Sequence, residues 1–414
     1  MDSINLLKAN RFDIAAKHLY ARYRESGYKT NFAEQVYKMH LFAWNNFNEI
    51  GDKNKNCYAD FLKAFDKILD SIKINGYNSS LGALPVYENQ LLNGAHRVAA
   101  SILYNKHVIV REASEVEGQL DCSSSMFRSK GLPGKYSDAI AEEYVRLAKN
   151  SLFITLFPSA SYDKDKTLKA FSLIQSCCDI VYSKSLSWKN NAGLNLIRQI
   201  YLGEEWGLTW KEKFQGFARK AELCFTTRAP IYTLLIQPKQ SVDIVALKEE
   251  IRKIYKIGKH SCHINDTHEE TIRLSRIYYN KNSMHHVNNS IENYYPSFEK
   301  RINAYNAYIR TNGLDTENYC ITSSSILSIY GIHDSQDLDY FHFDENQING
   351  AEINSHNNEI VNYRDTVDEI LFNPSKHFWY NNTKIASYDT VLKMKKFRNE
   401  IKDVHHSKLL ETLS

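Results

Sequence analysis

Apolar side chains near the start of the chain recur at helical spacing. From Tyr58 to Ile74 they fall every three or four residues, which places them on one helix face. The members of this face are Phe61, Leu62, Phe65, Ile68, Leu69 and Ile72. The pair Asn75-Gly76 that follows is a C-cap signal, and Asn31, with Glu34 three positions later, is an N-cap signal. Residues 1–75 are therefore predicted to form a helical N-terminal extension.

Between Leu84 and Val110 the pattern changes to short strands separated by turn residues. It predicts a strand, a tight turn, a second strand, a turn at Gly94, a helix, and a last strand over His107–Val110. A helix start offers free N–H groups to an anion, and here it carries an imidazole and a guanidinium as well. We therefore expect phosphate at Gly94, Ala95, His96 and Arg97. The alternative is a plain turn in which Arg97 caps a neighbouring carbonyl.

Residues 112–136 are rich in Ser, Gly and polar residues, and they predict a mobile loop. A helix over Asp138–Lys149 is expected to close the first domain.

The segment Lys248–Asn280 contains a basic helix with Arg252, then His263, and then a helix start at Thr267. A histidine just before a capped helix lies near the positive end of a helix dipole, which favours phosphate. Imidazole is also a nucleophile near neutral pH. We expect His263 to react with phosphate and Arg252 to neutralise the phosphoryl charge. The alternative is a buried, hydrogen-bonded histidine.

Two acidic residues alternate in the C-terminal part of the chain. Asn318 to Phe341 predicts a strand, a small-residue turn, a helix, a loop and a strand that carries Asp337 and Asp339. Alternating residues of a strand face the same side, and paired carboxylates can hold Mg²⁺ against a triphosphate. Ser323 and Ser324, before the helix, can hold phosphate oxygens. The alternative is an exposed strand with solvated acids.

Composition limits the remaining choices. The 414 residues predict two to four domains, and 43% hydrophobic content is enough for packed cores. The net charge of +4 is too small to indicate nucleic-acid binding. Seven scattered cysteines without metal-type spacing predict reduced thiols and a cytoplasmic protein. No apolar window is long enough to span a membrane, so no membrane partner is expected.

The first of these segments resembles the ParB/sulfiredoxin-like fold. Its motif, Gly-x-His/Arg-Arg-x-x-Ala, is matched from Gly94 through Ala100. Members of that superfamily bind nucleotide phosphates at this helix start, and some are small-molecule kinases. The resemblance implies a phosphate-binding role for His96 and Arg97.

The middle segment resembles nucleoside diphosphate kinases. Glu250-Ile251-Arg252, His263 to Thr267 and Tyr278-Tyr279 match the signature segments, and a helix ending at Tyr201 matches another. The resemblance implies a ferredoxin-like domain, a phosphohistidine and a cofactor-binding role for Tyr201, which could also belong to an ordinary amphipathic helix. Phe157 occupies the position of the family's phosphate-binding lysine.

The C-terminal segment resembles polymerase-β-like nucleotidyltransferases. Ser323-Ser324 occupies the position of Gly-Ser, and twelve residues separate Ser324 from the Asp337-x-Asp339 pair. Glu359 and Asp365 are candidates for the third carboxylate. The basic run Lys393–Asp403 matches the closing helix of the family.

Together these features predict an α+β protein of three small mixed domains, over residues 1–150, 151–290 and 291–414. We expect a phosphotransferase, either kinase or nucleotidyltransferase, that uses ATP or another nucleoside triphosphate with Mg²⁺. Its expected partners are the nucleotide and a small-molecule phosphate acceptor, a sugar or polyol for surface-polysaccharide synthesis, and a homo-oligomer is left open. The alternatives are a nucleotide-binding regulatory scaffold and a toxin-like nucleotidyltransferase acting on protein or tRNA.

Overall fold

The computed structural model describes residues 1–49, 54–114, 120–189, 191–207, 209, 212–348 and 350–413. Within these residues the chain is a mixed α/β protein with a helical N-terminus and three small sheets. None of the helices in the described ranges has both the length and the apolar character needed to cross a membrane. All seven cysteines are free thiols.

The N-terminal part combines helices with a three-stranded sheet in the order β2-β1-β3. Its elements are α1 Phe12–Ser26, α2 Phe32–Asn45, α3 Tyr58–Asn75, β1 Leu84–Tyr87, β2 Gln90–Leu91, α4 Ala95–Leu103, β3 Val110–Glu112, α5 Ser124–Ser129 and α6 Gly134–Leu147. The predicted helices after Asn31 and from Tyr58 are confirmed, although the Asn31 side chain makes no capping bond.

Two local predictions in this part are wrong. The strand expected at His107–Val110 begins only at Val110, because Val108 donates its N–H to the carbonyl of Met1 instead. The predicted loop over 112–136 contains α5, which Ser123 caps by accepting from the N–H of Met126. Burial of Phe127 holds this helix in place. Residues 115–119 of that loop lie outside the described residues.

The middle part is built on a four-stranded antiparallel sheet in the order β5-β6-β4-β7. Its elements are β4 Leu152–Leu156, α7 Pro158–Ser161, α8 Lys164–Cys177, β5 Cys178–Leu186, α9 Ala192–Ile200, α10 Gln215–Cys224, β6 Ile231–Pro238, α11 Ile244–Tyr255, β7 Cys262–Ile264, α12 His268–Tyr278 and α13 Lys281–Asn289. Helix α8 connects β4 to β5, and α11 connects β6 to β7. In each case one other strand of the sheet lies between the two strands that the helix connects.

The two faces of this sheet belong to different cores, because successive side chains of a strand point to opposite faces. Ile154 and Leu234 pack under α8 and α11. Phe153 and Leu235 belong to the larger buried cluster, which also contains the N-terminal helices. Residues 1–150 and 151–290 therefore share a continuous core.

The C-terminal part has a five-stranded sheet in the order β10-β9-β8-β12-β11 and a buried cluster of its own. Its elements are α14 Pro296–Thr311, β8 Tyr319–Thr322, α15 Ser325–Ile329, β9 Leu338–His342, β10 Ile353–Ser355, α16 Val367–Phe372, β11 His377–Tyr380, β12 Thr383–Ala386, α17 Tyr388–Arg398 and α18 Ile401–Glu411. The predicted strand, turn, helix and strand over 318–341 are confirmed, except that β9 begins at Leu338, so Asp337 lies just before the strand and not on it. The single helix predicted over Lys393–Asp403 is wrong. Helix α17 ends before Asn399, which adopts a non-helical φ of 54°.

Candidate functional site

The main candidate site is a cavity of about 950 Å³ in the middle part of the chain. Helices α9 to α12, strand β7 and the turn between β11 and β12 all contribute to its wall. Three predicted site residues, Tyr201, Arg252 and His263, line it together. They are separated by up to 62 positions in the sequence, so only the fold brings them to one place.

His263 is held in a defined orientation by a carboxylate. Its Nε2 lies 2.9 Å from Oε1 of Glu270. A carboxylate only accepts hydrogen bonds, so Nε2 carries the proton and Nδ1 keeps the lone pair in the neutral ring. Thr267 fixes Glu270 in the first turn of α12 by accepting from its backbone N–H at 3.2 Å. The ring of Tyr201 packs against the imidazole, with 4.9 Å between centroids.

This pairing changes the ionisation of Glu270. Burial alone would raise the pKa of the carboxyl group, but the hydrogen bond and charge of His263 oppose burial and lower it. The backbone N–H of Asp266 and the nearby Arg273 act in the same direction. The pKa of Glu270 is therefore below its usual value, and the group is ionised at neutral pH.

The cavity wall has an excess of positive charge. Six lysine or arginine residues face four acids. The cations are Arg219, Lys220, Lys248, Arg252, Lys259 and Arg273, and the acids are Glu204, Asp266, Glu269 and Glu270. Such a wall attracts an anionic ligand.

Lys220 is one of the five wall cations that were not predicted from the sequence. Its ammonium group lies 5.5 Å from the ring centre of Phe157 and 5.7 Å from that of Tyr201. It donates to the carbonyl of Lys259, and burial, with repulsion from Lys259 and Arg252, lowers its pKa. The signal was present in the sequence, because Lys220 lies among the buried positions of amphipathic helix α10.

Three nitrogen atoms of the cavity wall are buried without a hydrogen-bond partner among the described residues. They are Nε of Arg252, Nδ1 of His260 and Nε of Arg273. A buried polar group left unpaired costs about 1–3 kcal/mol.

The predicted turn in the N-terminal part makes contacts within the chain. Gly94 has a φ of 98°, and an added Cβ there would lie 2.3 Å from Leu84. Nε2 of His96 lies 2.8 Å from the hydroxyl of Tyr37, and burial lowers the pKa of His96 well below its usual value. Arg97 donates to the carbonyls of Leu81 and Gly82. These are the contacts that the capping alternative predicts.

In the C-terminal part the serine turn lies against the acidic pair. The hydroxyl of Ser324 donates to Asp337 at 3.3 Å, and Ser323 hydrogen-bonds Asp339. Asp339 is only 8% exposed, so it is not a solvated acid. Burial raises its pKa against the opposing effect of His356, whose Nδ1 lies 3.8 Å from Oδ2.

The acidic pair fits a magnesium ion only in part. The described residues contain no group of three or more His, Cys, Asp or Glu side chains placed to hold a metal ion. Of the candidate third carboxylates, Asp365 pairs with Lys376 at 2.5 Å and Glu359 accepts from Asn362. Mg²⁺ is commonly held by one or two carboxylates together with substrate phosphates. Asp337 and Asp339 thus fit an ion that arrives with a nucleotide.

No family model, curated protein or solved structure matches this chain.

Proposed function

We propose that the chain is a phosphotransferase that takes a phosphoryl group from a nucleoside triphosphate onto His263 and passes it to a small-molecule hydroxyl. The observation that carries this proposal is the convergence on one cavity of a carboxylate-bound histidine and six cationic side chains.

The reaction follows from the orientation of the ring. The lone pair of Nδ1 attacks the terminal phosphorus, and the bond from phosphorus to the bridging oxygen breaks, so that the nucleoside diphosphate leaves with the electron pair. Glu270 balances the positive charge that the phosphorylated ring gains. The acceptor hydroxyl then attacks phosphorus, the electron pair of the N–P bond returns to Nδ1, and the hydroxyl proton passes to water.

The cations supply the electrostatic part of this catalysis. Lys220, Arg252 and Lys259 neutralise the phosphate oxygens, which carry the charge in the transition state. Lys220 is next to Phe157, the position at which the resemblance to nucleoside diphosphate kinases expects a lysine. The strand order with its two split βαβ connections agrees with the ferredoxin-like domain that the resemblance implies. Both points support the proposal.

Labelling tests it directly. The chain is incubated with γ-³²P-labelled ATP and Mg²⁺, and the bound label is tested for stability in acid and in base. We expect acid-labile, base-stable label that is lost in His263→Ala and kept in His405→Ala, a change at an exposed histidine. Label that persists in His263→Ala, or no label on the wild type, would refute the proposal.

A second candidate function is nucleotidyl transfer at Asp337 and Asp339. The specific observation in its favour is the serine turn that hydrogen-bonds both carboxylates. Mg²⁺ held by this pair would stabilise the charge of the triphosphate. Label transferred from α-³²P-labelled ATP, and abolished by Asp337→Asn but not by His263→Ala, would favour this function.

A further inference from the structure

The C-terminal part of the chain contributes a residue to the His263 cavity. Asn382 lines this cavity. It belongs to the two-residue turn between β11 and β12, in which Asn381 and Asn382 have φ values of 48° and 62°. Positive values at both positions are those of the tight turns that suit β-hairpins.

The turn is fixed in place by the middle part. The backbone N–H of Asn381 donates to Oε1 of Gln199 at 3.2 Å, and Oδ1 of Asn381 accepts from Nε2 of the same residue at 3.1 Å. Gln199 is buried and lies two positions before Tyr201. Further along the hairpin, the N–H of Trp379 donates to Ser283 at 3.0 Å. The position of Asn382 on the cavity wall is therefore set by the docking of the hairpin.

The carboxamide of Asn382 is available to a ligand. No described residue hydrogen-bonds it, and the residue is exposed. The turn conformation does not need this side chain, because glycine adopts a positive φ without steric cost. The amide thus adds one acceptor and two donor positions to the wall.

Asn382 differs in chemistry from the charged residues of the cavity wall. Lys259 and Arg252 lie close enough to Lys220 to lower its pKa, which makes this group of cations suited to phosphate. The turn that carries Asn382 is bound to Gln199 near the end of α9. The neutral amide of Asn382 cannot neutralise phosphate but can bind a hydroxyl group through both donation and acceptance.

We infer that Asn382 hydrogen-bonds a hydroxyl group of a phosphate-bearing, polyhydroxylated ligand, so that the site is complete only when the C-terminal part is docked. The hydroxyl comes from the ribose of a nucleotide or from a sugar phosphate, which share this chemistry. The inference rests on the proposed function, since the phosphate end of the ligand is bound by the cations described above.

Binding of three probes by calorimetry tests the inference on the full chain. The probes are ATP, glucose 6-phosphate and inorganic pyrophosphate, which has no hydroxyl-bearing carbon skeleton. In Asn382→Gly the dissociation constant is expected to rise roughly three- to tenfold for the hydroxyl-bearing probe that the wild type binds, the effect of one neutral hydrogen bond. The dissociation constant for pyrophosphate should not change.

The matched control is Asn399→Gly, which makes the same substitution at an exposed residue with a φ of 54°, outside the cavity. It should leave all three affinities unchanged. Equal affinities of Asn382→Gly and the wild type for every probe, or equal losses for pyrophosphate and the hydroxyl-bearing probe, would overturn the inference. A wild type that binds none of the probes would refute the proposed function itself. Loss with ATP alone identifies a nucleotide as the ligand, and loss with glucose 6-phosphate alone identifies a sugar phosphate.

Discussion

At the scale of single residues, Glu270 decides which nitrogen of His263 can react. The carboxylate accepts from Nε2 at 2.9 Å and leaves the lone pair on Nδ1. In Glu270→Gln the ring can turn over or change tautomer, because the amide both donates and accepts. We expect phosphohistidine formation to slow by roughly 10- to 100-fold, the usual effect of losing a partner that orients a reactive imidazole.

The rate of label incorporation in single-turnover mixing measures this effect. The pKa of Glu270 is depressed, so the carboxyl group stays ionised even somewhat below the ordinary glutamate pKa. It is protonated only as the pH falls through its own, depressed pKa. The wild-type rate should therefore decline on acidification, and the rate of Glu270→Gln should lack this component. Glu292→Gln, at an exposed glutamate, is the control. Equal rates for the wild type and Glu270→Gln would contradict this role.

The backbone of Ser323 provides a second prediction. Ser323 is buried and has a φ of 58°, a conformation that costs a residue with a Cβ about 1–2 kcal/mol. Ser323→Ala and Ser323→Gly both remove the hydroxyl that bonds Asp339, but only glycine also removes the backbone cost. We expect Ser323→Gly to be more stable than Ser323→Ala by about 1 kcal/mol in urea denaturation. Equal stabilities would show that this turn is unstrained.

The sequence predicted part of the cavity and missed the rest for physical reasons. Tyr201, Arg252 and His263 occur next to recognisable helix and strand signals. Lys220 was missed because a lysine within a mostly apolar helix face is normally interpreted as a solvent-exposed residue at the edge of that face. Asn382 was missed because it comes from another part of the chain, and no local pattern shows which distant turn reaches a cavity.

At the scale of elements, periodic segments were predicted well and tertiary contacts decided the rest. Helix α3 follows directly from its apolar face, and Thr267 caps α12 as expected. Strand β3 is displaced because residues near the N-terminus pair with the backbone of Val108. No local pattern encodes such a long-range pairing.

The break between α17 and α18 shows the same limit. Lys393–Asp403 contains neither Gly nor Pro, so its sequence favours an uninterrupted helix. The buried Asp403 binds Arg398 at 2.7 Å and Lys395 at 3.1 Å, which ties the two helices together across the break. These bonds hold the pKa of Asp403 at about 2, although burial alone would raise it.

At the scale of the whole molecule, one carboxylate joins all three parts of the chain. Glu317, before β8, accepts from Arg146 of α6 at 3.1 Å and from Arg276 of α12. Lys384 of β12 lies 3.2 Å from its other oxygen. Burial alone would raise the pKa of Glu317, but these cations hold it well below its usual value. The junction couples the C-terminal part to the shared core of the other two.

Glu317→Gln tests whether this junction makes the parts unfold together. The change leaves three cations without their common partner, and breaking a buried pair costs about 3–5 kcal/mol. We expect the wild type to show a single calorimetric transition and the variant to show two, with the C-terminal part unfolding first.

Because the pKa of Glu317 is depressed in the folded state, its contribution to stability is complete above the unfolded pKa of about 4.3 and is lost as the pH falls below that value. The gap in Tm between wild type and variant should therefore be largest near neutral pH and narrow towards pH 3. Glu345→Gln, at an exposed glutamate of the same part, should leave one transition. A gap that stays constant with pH would mean that Glu317 acts through packing and not through its charge. A docked C-terminal part is also what places Asn382 at the His263 cavity, so in Glu317→Gln affinity for the ligand should fall in step with the early transition.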